Sequence, residues 1–478
     1  MNKKTFKPSS DLPAGFVDRQ EEELLIRDLL ISNIKKTMSK YGFQYLETPS
    51  FEYTDSIGKF LPDKDRPSEG VFSFEDEKKW LSLRYDLTAP LARYSAKNFD
   101  SIPKPFKRYQ LGTVWRNEKP GPGRYREFLQ FDADYIGTSN LFSDAELCFL
   151  ISEILNSCGL EKKEFVIKIS NRKLTKGLLE ELNITDEQKQ SITLRAIDKL
   201  DRVGIEGVQY LLGKGRKDKS GDFTKGAELE ENQIKQIINF LSIKDLSENN
   251  FEKIKKMSEN NKTMQAGIDE LALMKKYFSL FNFKNYIFDP TVVRGLEYYT
   301  GPIFEANLTF GVTNNKGQEI EFGSIGGGGR YDDLVKRFNN QECPATGISV
   351  GLDRLIYAII QKNKIKVEKS IPVLICVFDE KYMDFYMKIL NLLRSKNISS
   401  EIYSGSSNIK SQFKYADKRG CKYVILCGED EIQKNLITIK NLSIGKQVSE
   451  NLKDRDDWKQ SAEAQKTVPF DQLLNEIK

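Results

Sequence analysis

The sequence predicts an α+β protein in two parts: a large part built on a mixed, largely antiparallel sheet that carries a helical insertion, and a small C-terminal α/β part. Three observations carry this reading. Between residues 43 and 137, short runs rich in aromatic and β-branched residues (FQYLETP, KWLSLRYDL, FKRYQLGTVWR, EFLQFDADYIG) are broken by Pro and Gly turns. From about 172 to 280 the chain becomes rich in Lys, Glu, Asn and Leu, with helical periodicity and few strand signals. From Ile371 onward strand-like and helix-like runs alternate, the pattern of a small parallel sheet.

In chain order, residues 20–41 read as an amphipathic helix, with Leu25, Leu29, Ile34, Met38 and Tyr41 at helical spacing and Gly42 as the stop. The strand-like runs follow, the last two joined by PGPGR, a tight turn. Strand signals return at 286–356 and include four consecutive glycines, 326–329. That run lets backbone approach a ligand closely, and a flexible turn fits it equally. The basic stretch QKNKIKVEK (361–369) reads as a linker. The organisation is therefore 1–171 with 281–360, an insertion at 172–280, and a C-terminal domain at 371–478. In the last, VLICVF, a helix, EIY, the helix NIKSQFKYADKRG and KYVILCG succeed one another.

Composition narrows the chemistry. The 478 residues suit two or three domains, and the excess of 74 Lys and Arg over 69 Asp and Glu permits an anionic partner without demanding one. The most informative count is His 0. It excludes a Ser-His-Asp triad, a Cys-His dyad and any His-ligated metal. Chemistry must rest on carboxylates, Arg, Lys, Tyr, Gln, backbone amides or a metal held by oxygen. The six Cys form no C-x-x-C pair and read as buried free thiols of a cytosolic protein. The N-terminus MNKKTFKPSSDLPAGF has no apolar signal region, and the longest apolar run, Ile371 to Phe378, falls far short of the roughly 20 residues of a membrane span. A soluble, cytoplasmic protein is expected. Neither G-x-x-x-x-G-K-[ST] nor G-x-G-x-x-G occurs, so a nucleotide site must be of another kind.

Two stretches concentrate functional residue types. In 106–137, Arg116, Arg124 and Arg126 cluster with Glu118, Glu127, Asp132 and Asp134 around the turn. Alternation puts Phe128, Gln130, Asp132 and Asp134 on one face, an aromatic, an amide and two carboxylates suited to a flat, polar, nitrogen-bearing ligand. A charged solvent face on an edge hairpin gives the same pattern. In 289–305, Arg294 precedes a Gly and the pair Tyr298 and Tyr299; Arg offers a fork of donors for phosphate or carboxylate, and a turn Gly with core aromatics is the alternative.

Four segments together resemble the histidyl-tRNA synthetases, class II aminoacyl-tRNA synthetases of subclass IIa. GFQYLETPSFEY (42–53) looks like motif 1, WRNEKPGPGRYREFLQFDAD (115–134) like motif 2, RGLEYYTG (294–301) like the family signature, and GISVGLDRL (347–355) like motif 3. The resemblance covers nearly the whole chain. It implies the class II catalytic fold and a C-terminal anticodon-binding domain, the latter on FKYADKRG (413–420). It implies that L-histidine is activated with ATP to histidyl-adenylate and pyrophosphate, then transferred to the 3′ end of tRNA(His). Mg²⁺ would accompany ATP, with no tightly bound organic cofactor, and motif 1 would form a homodimer.

Carried over residue by residue, Arg116 would hold the ATP α-phosphate and the histidine carboxylate, Glu118 and Phe128 the adenine, and Arg354 the γ-phosphate. Arg294 would sit at the α-phosphate. Asp86, Leu87 and Thr88 in RYDLTAP, with Gln130, would line the α-amino pocket. Asp134 and Tyr299 would contact the imidazole nitrogens, with Tyr298 beside them. The physics agrees: attack of a carboxylate on the α-phosphorus needs positioning and charge neutralisation more than covalent help. In FKYADKRG and the residues before it, Lys410, Lys414 and Lys418 share a helix face near Phe413 and Tyr415, which suits a splayed RNA loop and equally a solvated helix. Motif 2 departs from the common pattern at Asn117 and Leu129, where many members have His. A histidine-sensing, catalytically inactive relative of the ATP phosphoribosyltransferase system is the alternative, and such paralogues usually lose the C-terminal domain and the ATP-binding arginines.

Overall fold

The computed structural model describes residues 8–57, 70–217, 221, 223–243, 248–257, 259, 261–295, 298–314, 316–362, 365–405, 408–443 and 465–477. The chain divides into two compact units, 1–367 and 368–478.

The first unit is organised by an eight-stranded sheet. Its strands are β1 (Gln44–Tyr45), β2 (Phe106–Trp115), β3 (Glu127–Ile136), β4 (Phe165–Asn171), β5 (Tyr286–Phe288), β6 (Pro302–Leu308), β7 (Ser324–Arg330) and β8 (Ala345–Gly351). The order is β1-β2-β3-β8-β7-β6-β4-β5. Every pairing from β2 through to β4 is antiparallel, and only the edges β1–β2 and β4–β5 are parallel. The 326–329 glycines lie inside β7, so they are strand and not a flexible turn. Of the expected early strands, KWLSL joins a separate three-stranded sheet with residues 51–53 and 73–76.

Helices α1 (Glu21–Lys40), α3 (Phe142–Ser157) and α10 (Leu352–Gln361) share a buried apolar cluster with one face of this sheet, while α2 (Thr88–Lys97) belongs to a second cluster with Phe106, Ile136 and Tyr331. On α1 the buried line is Ile26, Leu30, Ile34 and Met38, whereas Leu29 is 42% exposed. The expected stripe was therefore rotated by one position at its start. A strict four-residue spacing drifts round a 3.6-residue helix, and α1 contacts α3 along its length, with Asn33 donating to the Ser157 carbonyl and Tyr41 to Glu153.

Between β4 and β5 run α4 (Arg172–Glu181), α5 (Glu187–Asp198), α6 (Leu200–Leu212), α7 (Glu231–Leu241), α8 (Glu248–Met257) and α9 (Lys262–Leu280). A short hairpin, 215–217 with 223–225, was not anticipated. Leu178, Leu211, Ile237, Phe240 and Leu271 from these helices join the same cluster as the sheet. Among the described residues no helix is long and apolar enough to cross a membrane. All six cysteines are free and buried.

The second unit has a five-stranded sheet of β9 (Val373–Ile375), β10 (Ser400–Ile402), β11 (Tyr423–Leu426), β12 (Leu436–Asn441) and β13 (Gln465–Pro469), ordered β10-β9-β11-β12-β13. The first three are parallel, as expected, and β12 and β13 extend the sheet antiparallel. Helix α11 (Met383–Ser395) buries Tyr386, Ile389 and Leu393, and helix α12 (Ile409–Arg419) begins at Asn408, whose side chain caps it, and buries Gln412 and Ala416. Lys410, Lys414, Tyr415 and Lys418 are exposed, whereas Phe413 packs toward the cluster of Leu374 and Cys376.

Candidate active site

The site is one face of the sheet, opposite the apolar face that α1 and α3 cover, and the start of α2 borders it. Antiparallel register brings Arg108, Gln110 and Gly112 of β2 beside Asp134, Asp132 and Gln130 of β3, which in turn face Gly347, Ser349 and Gly351 of β8. Farther along, Gly329 and Gly327 of β7 face Gly347 and Ser349. Period-two alternation thus builds a floor of polar groups and glycines. The glycines leave room for side chains that lean across them. A Cβ on Gly347 would stand 2.0 Å from Asp134 Oδ1, and one on Gly327 would stand 2.9 Å from Arg294 Nη1.

At one end the floor is acidic. Asp134 accepts from Arg108 Nη1 at 3.0 Å and from the Tyr331 hydroxyl at 2.6 Å, one bond to each oxygen. Arg108, fully buried, also donates to the Leu87 carbonyl at 2.8 Å and to Gln110 Oε1 at 2.9 Å. Leu87 therefore contributes its carbonyl, which Arg108 occupies. Asp132 accepts from Gln130 Nε2 at 2.9 Å, from Thr88 Oγ1 at 3.3 Å and from the Ser349 hydroxyl. Asp86 Oδ1 caps the start of α2 by accepting the Thr88 and Ala89 amides at 3.1 and 3.0 Å. Burial pushes all three carboxyls up, Asp132 to about 6 and Asp134 to about 7, against the pull of Arg108. Crowding three carboxylates out of water is costly, and a cationic ligand would relieve it.

Tyr298 and Tyr299 face these carboxylates, with ring centroids 4.6 Å apart and their hydroxyls hydrogen-bonded. Burial raises both hydroxyls, Tyr299 to about 12, so both stay neutral at physiological pH. Their neighbours Leu296 and Glu297, in RGLEYYTG, lie outside the described residues.

At the other end the floor is basic. Arg116 lies between the Tyr85 and Phe128 rings, 4.5 and 5.1 Å from their centroids, and donates to the Tyr85 carbonyl at 3.2 Å and to Gln130 Oε1 at 3.4 Å. Glu118 is exposed and accepts from the Tyr85 hydroxyl at 2.5 Å. Arg354 is held by the Ser324 and Phe322 carbonyls at 2.9 and 2.6 Å and lies 4.2 Å from the Phe322 ring centroid. Burial, with Arg124 and Arg294 close by, lowers Arg354 to about 10. Arg294 pairs with Glu305 at 2.8 Å, the carboxylate that offsets part of this charge. Converging guanidiniums with little compensation form an anion site.

The residues expected to bind ATP and the amino acid lie on this face or at its rim, whereas Lys410, Lys414 and Lys418 belong to the second unit. Sequence reasoning missed Arg108, Gln110, Tyr331 and Ser349, and gave Asp132 a place on the shared ligand face but no specific contact. Counting outward from PGPGR (120–124) would have placed Arg108 opposite Ile136, on the same face as Asp134 but two residues off the observed register, and no local signal marks Tyr331 or Ser349. The orientation of Gln130 follows from them: its amide nitrogen is held by Asp132 and, at 2.7 Å, by Ser349, so its oxygen turns toward Arg116.

Residues 15–355 match the family model described as histidyl-tRNA synthetase, and 371–478 match an anticodon binding domain. Curated histidine–tRNA ligases of Bartonella henselae and Brucella ovis are 46% and 45% identical, covering 100% of this chain and 98% and 97% of theirs. Among solved structures, a histidyl-tRNA synthetase from Nostoc superposes with a TM-score of 0.68 at 26% identity, covering 98% of this chain and 99% of that one. An ATP phosphoribosyltransferase regulatory subunit/histidyl-tRNA synthetase from Bacillus halodurans reaches 0.64 at 20% identity, over 86% and 97%, a likeness of fold alone. On a family match that runs through the whole sheet, and on 46% identity from end to end, the chain belongs to the histidyl-tRNA synthetase family.

Proposed function

We infer that the chain is a histidine–tRNA ligase, acting in two steps. The single observation that carries this is the polarity of the floor: buried carboxylates facing two neutral tyrosines at one end, converging arginines at the other. Histidine has matching halves. Its α-ammonium and imidazole suit the acidic end, and its carboxylate lies toward Arg116, where ATP supplies the anion.

In the first step the histidine carboxylate oxygen attacks the α-phosphorus of ATP, and pyrophosphate leaves with the electron pair of the broken P–O bond. Arg116 and Arg294 neutralise the α-phosphate, and Arg354 the γ-phosphate. Phe128 offers adenine a stacking face and Glu118 an acceptor. Asp86, Thr88 and the oxygen of Gln130 take the α-ammonium. Tyr299 and Asp134 take the imidazole nitrogens, Asp134 through the remaining lone pairs of oxygens that Arg108 and Tyr331 already fix. In the second step the tRNA terminal hydroxyl attacks the aminoacyl carbonyl and AMP leaves; in a chain without His, the adenylate's own phosphate accepts the proton. Mg²⁺ is read as arriving with ATP. Such an ion would keep phosphate and water ligands, as Mg²⁺ commonly does.

The same reading makes 1–171 with 281–360 the catalytic domain, 172–280 an insertion that meets the tRNA acceptor arm, and 371–478 the anticodon domain, with Lys410, Lys414 and Lys418 toward the RNA. It places the enzyme in the cytoplasm as a homodimer. Support for the dimer is a set of exposed aromatics in and beside motif 1: Phe51, Tyr53 and Phe74 share one face of the small sheet, with the Phe51 and Phe74 rings 5.5 Å apart. The inactive, histidine-sensing alternative is disfavoured by the retained Arg116, Arg294 and Arg354 and by the C-terminal domain.

The test is amino-acid-dependent ATP–pyrophosphate exchange with each of the twenty amino acids, followed by charging of tRNA(His). Exchange with histidine alone is expected. Exchange with another amino acid would overturn the Asp134 and Tyr299 roles, and histidine binding without exchange would favour the regulatory reading.

A further inference from the structure

The reacting groups of this site come from segments far apart in the chain. The hairpin β2–β3 carries Arg116 and Phe128, and the first turn of α10 carries Arg354. Pairing of β3 with β8 ends at Gln130 opposite Gly351. One residue beyond, the Leu129 amide donates to Asp353 Oδ2 at 2.6 Å. The carboxylate of Asp353 thus continues the ladder where the strand stops. Its side chain is only 1% exposed, so its charge needs a partner.

That partner comes from the N-terminal segment. Arg19 Nη1 lies 2.9 Å from Asp353 Oδ1. The same guanidinium pairs with Glu23 and lies 5.2 Å from the Tyr125 ring centroid. Four residues earlier, the Gly15 carbonyl accepts the Arg126 amide at 2.9 Å, and a Cβ on Gly15 would meet the Arg126 side chain at 2.8 Å. The Phe16 ring lies 6.2 Å from Phe72. Residues 15–19 therefore touch the return limb of the hairpin directly and reach its Leu129 amide through Asp353.

We propose that Arg19 is a positioning residue for amino-acid activation: by neutralising buried Asp353 it keeps that carboxylate on the Leu129 amide and so locks the hairpin β2–β3 to the start of α10. Leu129 follows Phe128, and Asp353 precedes Arg354, so the clamp sets the adenine and γ-phosphate contacts in one register, while Gln130 is held separately by Asp132 and Ser349. Arg19 itself touches no substrate. The inference rests on the reading of the chain as a histidine–tRNA ligase. Arg27 is a second cation in the field of Asp353, so removing Arg19 weakens the clamp rather than abolishing it.

The experiment uses the full chain as wild type, Arg19→Gln, Arg19→Lys, Asp353→Asn and the Arg19→Gln/Asp353→Asn double variant. Histidine-dependent pyrophosphate exchange is measured alongside hydrogen exchange of amides 125–130 without substrates. Arg19→Gln is expected to lower kcat on the order of tenfold and to raise KM for ATP, with KM for histidine within about twofold. Arg19→Lys restores most of the rate, the double variant is no worse than either single one, and the Leu129 amide exchanges faster in Arg19→Gln. Unchanged kcat with unchanged protection at Leu129 would overturn the clamp. A rate loss that Lys does not rescue and that follows a general fall in Tm would overturn it too, making Arg19 merely structural. If the wild type exchanges with no amino acid, the activity reading fails instead, and protection at Leu129 still decides the clamp.

Discussion

The two faces of the eight-stranded sheet are written in alternate residues of the same strands, yet they do opposite things. Toward the helices, Tyr109, Leu111, Phe131, Ala133, Ile348 and Val350 are buried in one apolar cluster. Toward the ligand, Arg108, Gln110, Gln130, Asp132, Asp134 and Ser349 interbond above glycines. The helix face gains from every methylene it buries, at roughly 25 cal/mol per Å². The ligand face contains groups that are costly to bury and have raised pKa values, and it is held in shape by bonds between them. Each strand of the centre thus contributes stability with one residue and chemistry with the next, and substitutions on the two faces should separate cleanly.

The sharpest break should come at Gly347. Its Cβ would collide with Asp134, so Gly347→Ala is expected to lower histidine-dependent exchange by about a hundredfold or more. Near-normal activity in this variant would mean that Asp134 can leave Arg108 and Tyr331 without loss. The helix-face counterpart is Phe131→Ala, one residue from Asp132. It should cost about 3–5 kcal/mol in urea unfolding while leaving KM for histidine unchanged in the protein that remains folded. A raised KM there would show that the faces are not independent.

Smaller effects sharpen the contrast. Ser349→Ala should free the Gln130 amide to rotate and raise KM for histidine by about tenfold, with KM for ATP little changed. Equal changes in both constants would deny Gln130 a role specific to the amino acid. The smallest effect is on the pH dependence of stability. Asp132 and Asp134 stand at about 6 and about 7, above the unfolded carboxyl value of about 3.9. The native state therefore holds the extra proton. Their contribution is fully present below about 4 and is lost as pH rises through 6 to 7. Asp132→Asn should flatten that loss, so the variant gains on wild type in urea midpoint between pH 5 and pH 8. Parallel midpoints across the range would sink the claim that burial raises this pair.

Much of the fold was legible because it rests on local periodicity. The PGPGR turn and the alternation on either side of it give the hairpin β2–β3, and with it the shared face of Phe128, Gln130, Asp132 and Asp134. The Asn408 cap and the spacing of Gln412 and Ala416 give α12. Where prediction slipped, a tertiary neighbour decided. Leu29 is exposed and Leu30 buried because Leu30 is on the side of α1 that joins the apolar cluster of α3 and the sheet. KWLSL left the main sheet because residues 51–53 and 73–76 offered it a separate pairing. Phe413 turned inward although its helix carries exposed lysines on another side.

For the site, the sequence by itself determined the chemical inventory: no His, paired carboxylates on one strand face, three arginines in separate segments, and a run of glycines. Only the tertiary structure decided which of these meet. It set Tyr331 and Arg108 on Asp134, Ser349 and Gln130 on Asp132, and Arg294 over Gly327. It also brought Arg19 to Asp353 across the whole length of the catalytic unit. The reason is physical. A strand's two-residue period settles which of its own side chains share a face, whereas β8, which lies beside β3, comes from about two hundred residues further along the chain, and the register between them is set by packing that no local pattern encodes.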